Sequence, residues 1–285
     1  MKPETTFELD HLSQSSISQM QRCGRQFYLQ RVARIEPAFR NAALVVGSVF
    51  HAAVASILSA VRDGIEITKD SALAALASLW EAELAVETPP IRWGKRESPD
   101  SQFKLLKAMV STFLTDGLPA FQGVEILGIE THMRVPLVRS DGCVLETPLV
   151  AIADVIVRDA DGNVTVVDFK TSGKGLSDQY VETGIQPSAY LMAAKHAGLG
   201  DARFEYHILT KKAKPSYSVV PVVRTQKDLD RLWDIAAQVE RAVRHGLYMP
   251  TSPDGWACAS CPWSAACRTA HVHTDAPTVA ALAVA

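Results

Sequence analysis

LVAIADVIVRDADGNVTVVDFKTS, residues 149–172, is the stretch on which the fold turns. Two apolar runs, 149–153 and 164–167, each end on an aspartate, Asp154 and Asp168, with Asp159-Ala160-Asp161-Gly162-Asn163 between them. Runs of Val, Ile and Thr bounded by turn residues are strand chemistry, because branched side chains pack well on a pleated surface. A further Val/Ile/Thr-rich run precedes them, and Ser140-Asp141-Gly142 supplies its turn. We therefore expect an antiparallel meander of three strands over 124–138, 144–158 and 164–170. The pattern outside it is helical. Helices are expected over 12–31 (capped by Ser13 or Ser15), 47–61, 71–87 (stopped by Thr88-Pro89-Pro90), 101–116, 179–197 and 226–246. Two more strands, 203–210 and 217–224, flank the basic loop 211–215. The sum is an α/β chain. Its antiparallel-rich sheet is flanked by helices, its N-terminal third is helical, and a cysteine loop closes the C-terminal side.

Charged residues at the ends of apolar strands are costly unless something pairs with them. A divalent cation would serve, since Mg²⁺ takes oxygen ligands from one or two carboxylates, water and a substrate phosphate. Asp168 and Lys170 are two apart, so they share one face of a strand, while Phe169 turns into the core with its backbone carbonyl still able to face an ion. An amine beside such an ion can orient or deprotonate a water and stabilise charge building up on phosphorus-bound oxygens. A bare D-x-K triplet also fits an edge-strand salt bridge.

Four of the five cysteines fall at opposite ends: Cys23 near the start, then Cys258, Cys261 and Cys267 in a C-x-x-C-x-x-x-x-x-C run. Thiolates so spaced suit Zn²⁺ or an iron–sulfur cluster. A zinc ribbon normally has two C-x-x-C pairs within a few dozen residues, whereas here one cysteine lies far from the other three. Unrelated buried cysteines are the plainer alternative. Cys143 follows a turn and has no partner by count.

The chain has 285 residues, 47% hydrophobic and 21% charged, with a net charge of −2. That length suits one large core, or a core with a helical insertion. The charge argues against a generally basic nucleic-acid coat protein, but a local basic groove is enough to track phosphates. The first residues, MKPETTFELD, have no basic stretch leading into an apolar core, so a reducing cytoplasm is expected, where cysteine clusters bind metals before they form disulfides. Residues 42–61 are long enough to span a bilayer, yet His51 sits in their middle among Gly47, Ser48, Ser56 and Ser59. A buried core helix, with no membrane, is the expectation. Arg22, Arg25, Arg31, Arg34, Arg92, Lys95, Arg96, Lys174, Lys211, Lys212 and Lys214 are candidate phosphate contacts, and Trp93 could stack on an unpaired base.

The order of these features resembles the PD-(D/E)XK nuclease superfamily, within it the RecB-like and AddB-like nucleases and the exonucleases of CRISPR adaptation. Gly47-Ser48-Val49-Phe50-His51 is similar to the family's G-x-x-x-H helix motif, Asp154 to its first strand aspartate, and Asp168-Phe169-Lys170-Thr171 to its D-x-K-T. Gln186-Pro187-Ser188-Ala189-Tyr190 resembles the Q-x-x-x-Y helix motif, and Glu130 occupies the place of an earlier strand glutamate that supports the centre. The resemblance implies a restriction-endonuclease-like core over residues 1–270, a helical insertion about 63–120 and a loose tail, 271–285. It implies Mg²⁺ or Mn²⁺ on His51, Asp154, Asp168 and the Phe169 carbonyl, with Lys170 handling the water and Gln186 and Tyr190 positioning the strand. It further implies a 4Fe–4S cluster on Cys23, Cys258, Cys261 and Cys267, with Zn²⁺ as the alternative. Ser15 to Tyr28, SSISQMQRCGRQFY, resembles the family's N-terminal cysteine pattern, except that Gly24 stands where proline is usual. DNA is the implied partner, as single strands or ends, with a helicase or recombination protein as a possible companion. The implied activity is exonucleolytic, without sequence preference, in repair, recombination or phage- or CRISPR-type processing. A rival reading is a non-cutting scaffold that keeps the cluster. Another is an unrelated zinc or iron–sulfur protein.

Overall fold

The structure is a computed structural model that describes residues 9–252 and 255–269. The expected loose tail, 271–285, lies outside the described residues. Helix α1 (Gln14–Arg22) is capped by Ser13, whose side chain accepts from Ser16 N while Ser16 Oγ accepts from Ser13 N. The expected single helix over 12–31 breaks at Cys23. That residue is extended (φ −164°, ψ 104°), and α2 (Gly24–Phe27) starts beyond it. Cys23 serves both helices, donating its N–H to Gln19 O at 2.8 Å and accepting from Gln26 N through Sγ at 3.4 Å. The kink holds the thiol at the surface of both helices.

A two-residue strand, β1 (Arg40–Asn41), leads into α3 (Ala42–Arg62), which begins five residues before the expected 47. Helix α4 (Lys69–Leu84) follows, capped by Thr68. It ends ahead of Thr88-Pro89-Pro90, and β2 (Ile91–Arg92) then pairs in parallel with β1. Helix α5 (Pro99–Thr112) is capped by Ser98, with proline in its first turn, where the missing N–H has no partner to lose.

The main sheet has five strands in the order β3-β4-β5-β6-β7. Strands β3 (Glu125–Val135), β4 (Leu149–Arg158) and β5 (Val164–Ser172) form the expected antiparallel meander. The middle strand starts at Leu149 rather than 144. Pro148 just before it has no N–H to offer a ladder, and its carbonyl instead accepts from Leu12 N. Helices α6 (Asp178–Thr183) and α7 (Ile185–His196) carry the chain across to β6 (Arg203–Thr210), which lies parallel to β5. Strand β7 (Tyr217–Val222) returns antiparallel. Helix α8 (Gln226–Arg244) covers one face, and the expected cysteine loop contains two short helices, α9 (Trp256–Ala259) and α10 (Ser264–Thr269).

The sheet divides the core. One face packs Val166, Phe204 and Tyr206 against Ile17 of α1, Met192 of α7 and Leu232 of α8. The other packs Val155, Val167 and Phe169 against Val46, Val49 and Phe50 of α3, Leu76 of α4 and Met109 of α5. Helix α3 is long and apolar enough to cross a membrane, with a window of mean hydropathy 2.1. Here its apolar face is core: Val45, Val46, Val49, Phe50, Ala53, Val54, Ile57 and Leu58 are all buried. Burying that many large side chains stabilises by about 1.5–3 kcal/mol each.

A third, smaller cluster joins the chain ends: Tyr28, Leu29 and Ala33 pack with Trp263, against which Cys261 and Cys267 also lie. The segment before the cysteines runs closely over Gly24. A Cβ there would sit 2.8 Å from Met249 N and 3.0 Å from its carbonyl oxygen, both backbone atoms that cannot swing away. This explains why a side-chain-free residue follows Cys23. Gly24→Ala is expected to cost about 1–3 kcal/mol by overpacking, read as a lower denaturation midpoint with an unchanged slope.

Candidate active site

The β4–β5 ladder stops at Val155↔Val167. The next residue on each strand is an aspartate, Asp154 and Asp168, so the sheet opens where the two carboxylates begin. Asp154 takes over the role of the missing strand partner: its Oδ2 accepts the Phe169 N–H at 2.7 Å. On the other side, Glu130 falls between the paired residues Ile129↔Val155 and Thr131↔Ala153, opposite Asp154. Glu130, Asp154 and Asp168 thus form a row across three adjacent strands. Glu130 has φ +47°, a left-handed conformation that a non-glycine residue adopts only under constraint.

Helix α3 brings in His51. Its Nδ1 lies 3.3 Å from Asp154 Oδ2, and its ring meets Phe169 edge-on at 6.4 Å. Gly47, one turn earlier, faces β5, where a Cβ would stand in ordinary contact, 3.6 Å from Thr171 Oγ1. One donor atom each from His51, Glu130 and Asp154 lies within 4.8 Å of the others. Imidazole with two carboxylates is a donor set for a divalent cation. Glu130, expected only as support, thereby stands with the two expected ligands. Asp168 is not in this triplet, and Phe169 meets Asp154 through its N–H.

Asp168 is buried, and helix α7 holds it: Gln186 Nε2 donates to Oδ1 at 2.7 Å. Lys170 Nζ lies 2.5 Å from Oδ2 as an ion-pair contact, but Oδ2 has no hydrogen-bond partner of good geometry among the described residues. A buried carboxylate oxygen left open in this way fits an ion or an ordered water. Burial pushes the Asp168 carboxyl up to about 6, although Lys170 pulls it down. For Lys170 burial works against the charged form, but the Asp168 charge and hydrogen bond, with Tyr180 and Asp154, together outweigh it and the pKa is raised. Burial likewise opposes charge on His51, but its hydrogen bond with Asp154 and the charges of Asp154 and Asp168 together prevail, raising its pKa. Burial, then the Asp154 charge, raises Glu130. Crowded carboxylates with raised pKa values hold more protons than free ones, and a bound cation relieves that.

Gln186 is 7% exposed, with its amide committed to Asp168, so it braces the centre from beneath. Tyr190, one turn on, donates to Ile152 O at 2.6 Å and pins β4 beside the opening. Two residues without a signal in the sequence complete the surroundings. Tyr206 places its ring 5.6 Å from Lys170 Nζ, and Tyr180 OH reaches Gln186 Oε1 at 3.5 Å. Neither sits in a motif; the parallel register Asp168↔Tyr206 is what brings Tyr206 there. Gln186→Ala is expected to leave the fold intact and slow metal-dependent turnover by about 10–100-fold, the usual effect of losing a group that orients a ligand. Steady-state rates on a labelled substrate would show it.

Cys261 and Cys267 lie against the small cluster near Trp263, with Cys23 and Cys258 near enough to Cys261 to act on it. Burial pushes the Cys261 thiol up, a hydrogen bond with the Trp263 backbone pulls it down, and Cys23, Cys267 and Cys258 are all close enough to push it up further. Cys23 Sγ also accepts from Thr251 N at 3.5 Å, across 228 residues of sequence. Cys143 is exposed and apart. Four thiols are chemically a donor set for a soft metal or an iron–sulfur cluster, but among the described residues no three of their sulfurs stand within 4.8 Å of one another.

The basic candidates divide. Arg92 stacks over Phe39 at 3.6 Å, Lys211 donates to Ala43 O, and Arg25 lies over Tyr28. Trp93 is partly buried and packs edge-on against Trp80 at 6.2 Å beside the second core. Arg22 and Arg31 face a cavity beside α3.

The family profile of the PD-(D/E)XK nuclease superfamily matches residues 11–268. Among solved structures, the chain is similar to a candidate exonuclease from Eubacterium rectale, with 12% identity, a TM-score of 0.57, and 96% of this chain and 93% of that one covered. It is also similar to SSO0001, with 14% identity, a TM-score of 0.40, and 92% and 87% covered. No curated protein matches. At 12% identity the first likeness speaks to the fold alone, and the second, at a TM-score of 0.40, adds nothing to it.

Proposed function

This chain belongs to the PD-(D/E)XK nuclease superfamily, and from that premise we propose that it is a metal-dependent deoxyribonuclease that cuts DNA without sequence preference, acting as an exonuclease. The observation that carries the reading is the row of Glu130, Asp154 and Asp168 at the opened sheet, with His51 on one side and Lys170 on the other. His51, Asp154 and Glu130 hold Mg²⁺ or Mn²⁺, with the open oxygen of Asp168 and the Phe169 carbonyl completing the set. The ion, when bound, supplies Lewis acidity toward a phosphoryl oxygen and lowers the pKa of a coordinated water.

The chain's own residues do the rest. Lys170, kept charged by Asp168, donates to the attacking water and to the oxygens on which negative charge grows. Gln186 keeps the Asp168 carboxylate turned toward the centre, and Tyr190 keeps the β4 backbone from closing over it. We read residues 1–270 as one nuclease domain with 63–120 inserted as helices, and the cysteines as the ligands of a structural 4Fe–4S cluster of the RecB/AddB-like kind. A cytoplasmic protein working in DNA repair, recombination or related processing, alone or beside a helicase, fits these features. The test is digestion of 5′- and 3′-labelled single and double strands with Mn²⁺ or Mg²⁺ and with chelator. Release of nucleotides that stops in chelator is expected; intact strands under every condition would favour a scaffold that keeps the cluster without cutting.

A further inference from the structure

Beside α3 lies a cavity of about 560 Å³, walled by the N-terminal helices, the start of α3, the end of α4 and the cysteine segment at Pro262. Ser48 of α3 is in its lining, and His51 follows three residues later, on the same side of the helix. The candidate metal ligands do not line the cavity; His51 stands about one turn along α3 from its Ser48 edge. Its polar lining is cationic and amide-rich: Arg22, Arg31, Gln19 and Gln30 among others. The one carboxylate, Glu83, is neutralised by Arg40, which pairs with it and also donates to Pro89 O and Val86 O.

Arg31 and Arg22 are left uncompensated. Arg31 is half-buried, fixed by donation to Gln19 Oε1 at 2.8 Å, while Gln19 donates in turn to Gln30 Oε1 at 2.6 Å. Burial lowers the Arg31 pKa, and no carboxylate among the described residues offsets it. Arg22 is exposed and has no hydrogen bond or ion pair among the described residues. A preoriented guanidinium without an acid, in a cavity whose other donors are amides, the Ser15 and Ser48 hydroxyls and the Glu83-paired Arg40, is a recognition site for a phosphodiester. The volume equals a cube about 8 Å on a side, narrower than the ~12 Å major groove of B-DNA alone.

Resting on the nuclease reading, we propose that this cavity seats the phosphate backbone of a single DNA strand beside the metal centre, with Arg31 and Arg22 as its phosphate contacts. The strand is held through its phosphates, contacts that position a strand without carrying sequence information. Binding is measured by anisotropy in chelator, so that it does not depend on cutting, with a labelled thymidine 15-mer, its blunt duplex and a uridine 15-mer, at several salt concentrations. Arg22→Gln and Arg31→Gln are each expected to weaken binding of the thymidine strand about tenfold and to lower its salt slope by about one. Arg158→Gln, at the far end of β4 and paired with Glu125, serves as the control that leaves binding unchanged. Because Arg31 also bonds Gln19, Arg22→Gln is the variant that reads the cavity without touching the fold. Wild-type affinity and slope in both variants overturn the proposal. So does an equal loss on the duplex, or tighter binding of the uridine strand. Failure of the wild type to digest DNA with Mn²⁺ would instead remove the nuclease reading, which the binding data do not decide.

Discussion

Asp168→Ala and Lys170→Ala are each expected to reduce metal-dependent DNA cleavage by about 10³-fold or more, while secondary structure stays intact. The two residues form one unit, so the effects should not add. Without Lys170 the buried Asp168 loses its nearest cation and holds its proton more tightly, since burial already raises its pKa to about 6. Without Asp168, Lys170 keeps its charge less well, because burial opposes it and Asp168 is the strongest of the groups that support it. The double variant is therefore expected to be about as slow as either single one, as happens for residues that act together. Initial rates with Mn²⁺, compared among the three variants, check this. Digestion at the wild-type rate by both single variants would end the nuclease assignment. Multiplicative losses would mean that the lysine and the aspartate act separately. Asp168→Asn is a useful companion, since it keeps the Gln186 contact and the shape while removing the negative charge.

Loss of the cysteine clasp is the second large effect. Cys23→Ser or Cys261→Ser is expected to abolish iron incorporation and the brown colour of the purified protein, and to lower the melting temperature by about 10–20 °C. The reasoning is topological. A link from Cys23 to Cys267 closes nearly the whole chain, about 245 residues, and the loop-entropy relation assigns such a closure about 5 kcal/mol. At about 2–4 °C per kcal/mol for a chain of this size, that becomes the stated shift. Cys143→Ser, at an exposed thiol away from the cluster, is expected to change neither. Metal analysis separates the readings: iron and labile sulfide support the cluster, one equivalent of zinc replaces it with a tetrahedral site, and neither metal with unchanged melting removes the clasp altogether.

The motifs were legible one by one because each carries its chemistry in adjacent residues. Asp168-Phe169-Lys170 alternates by strand geometry, so the pairing of acid and amine on one face and Phe169 in the core follows from spacing. The break at Cys23 was not legible. SSISQMQRCGRQFY is helix-compatible throughout, and only the approach of Tyr248 and Met249 demands glycine at position 24. Trp93 read as a free aromatic among charges, yet it packs against Trp80, a partner supplied by the inserted helices.

By itself the amino-acid order determined the strand meander, the helices that flank it, and the identity of the acid–amine pair, because period and turn chemistry are local. Only the three-dimensional arrangement decided that Glu130 stands with His51 and Asp154, that Tyr206 lies under Lys170, and that two arginines share a cavity beside α3. Those juxtapositions depend on the register between strands and on where the β4–β5 ladder stops. Register is fixed by the packing of both sheet faces at once, a sum over contacts that no short window of residues contains.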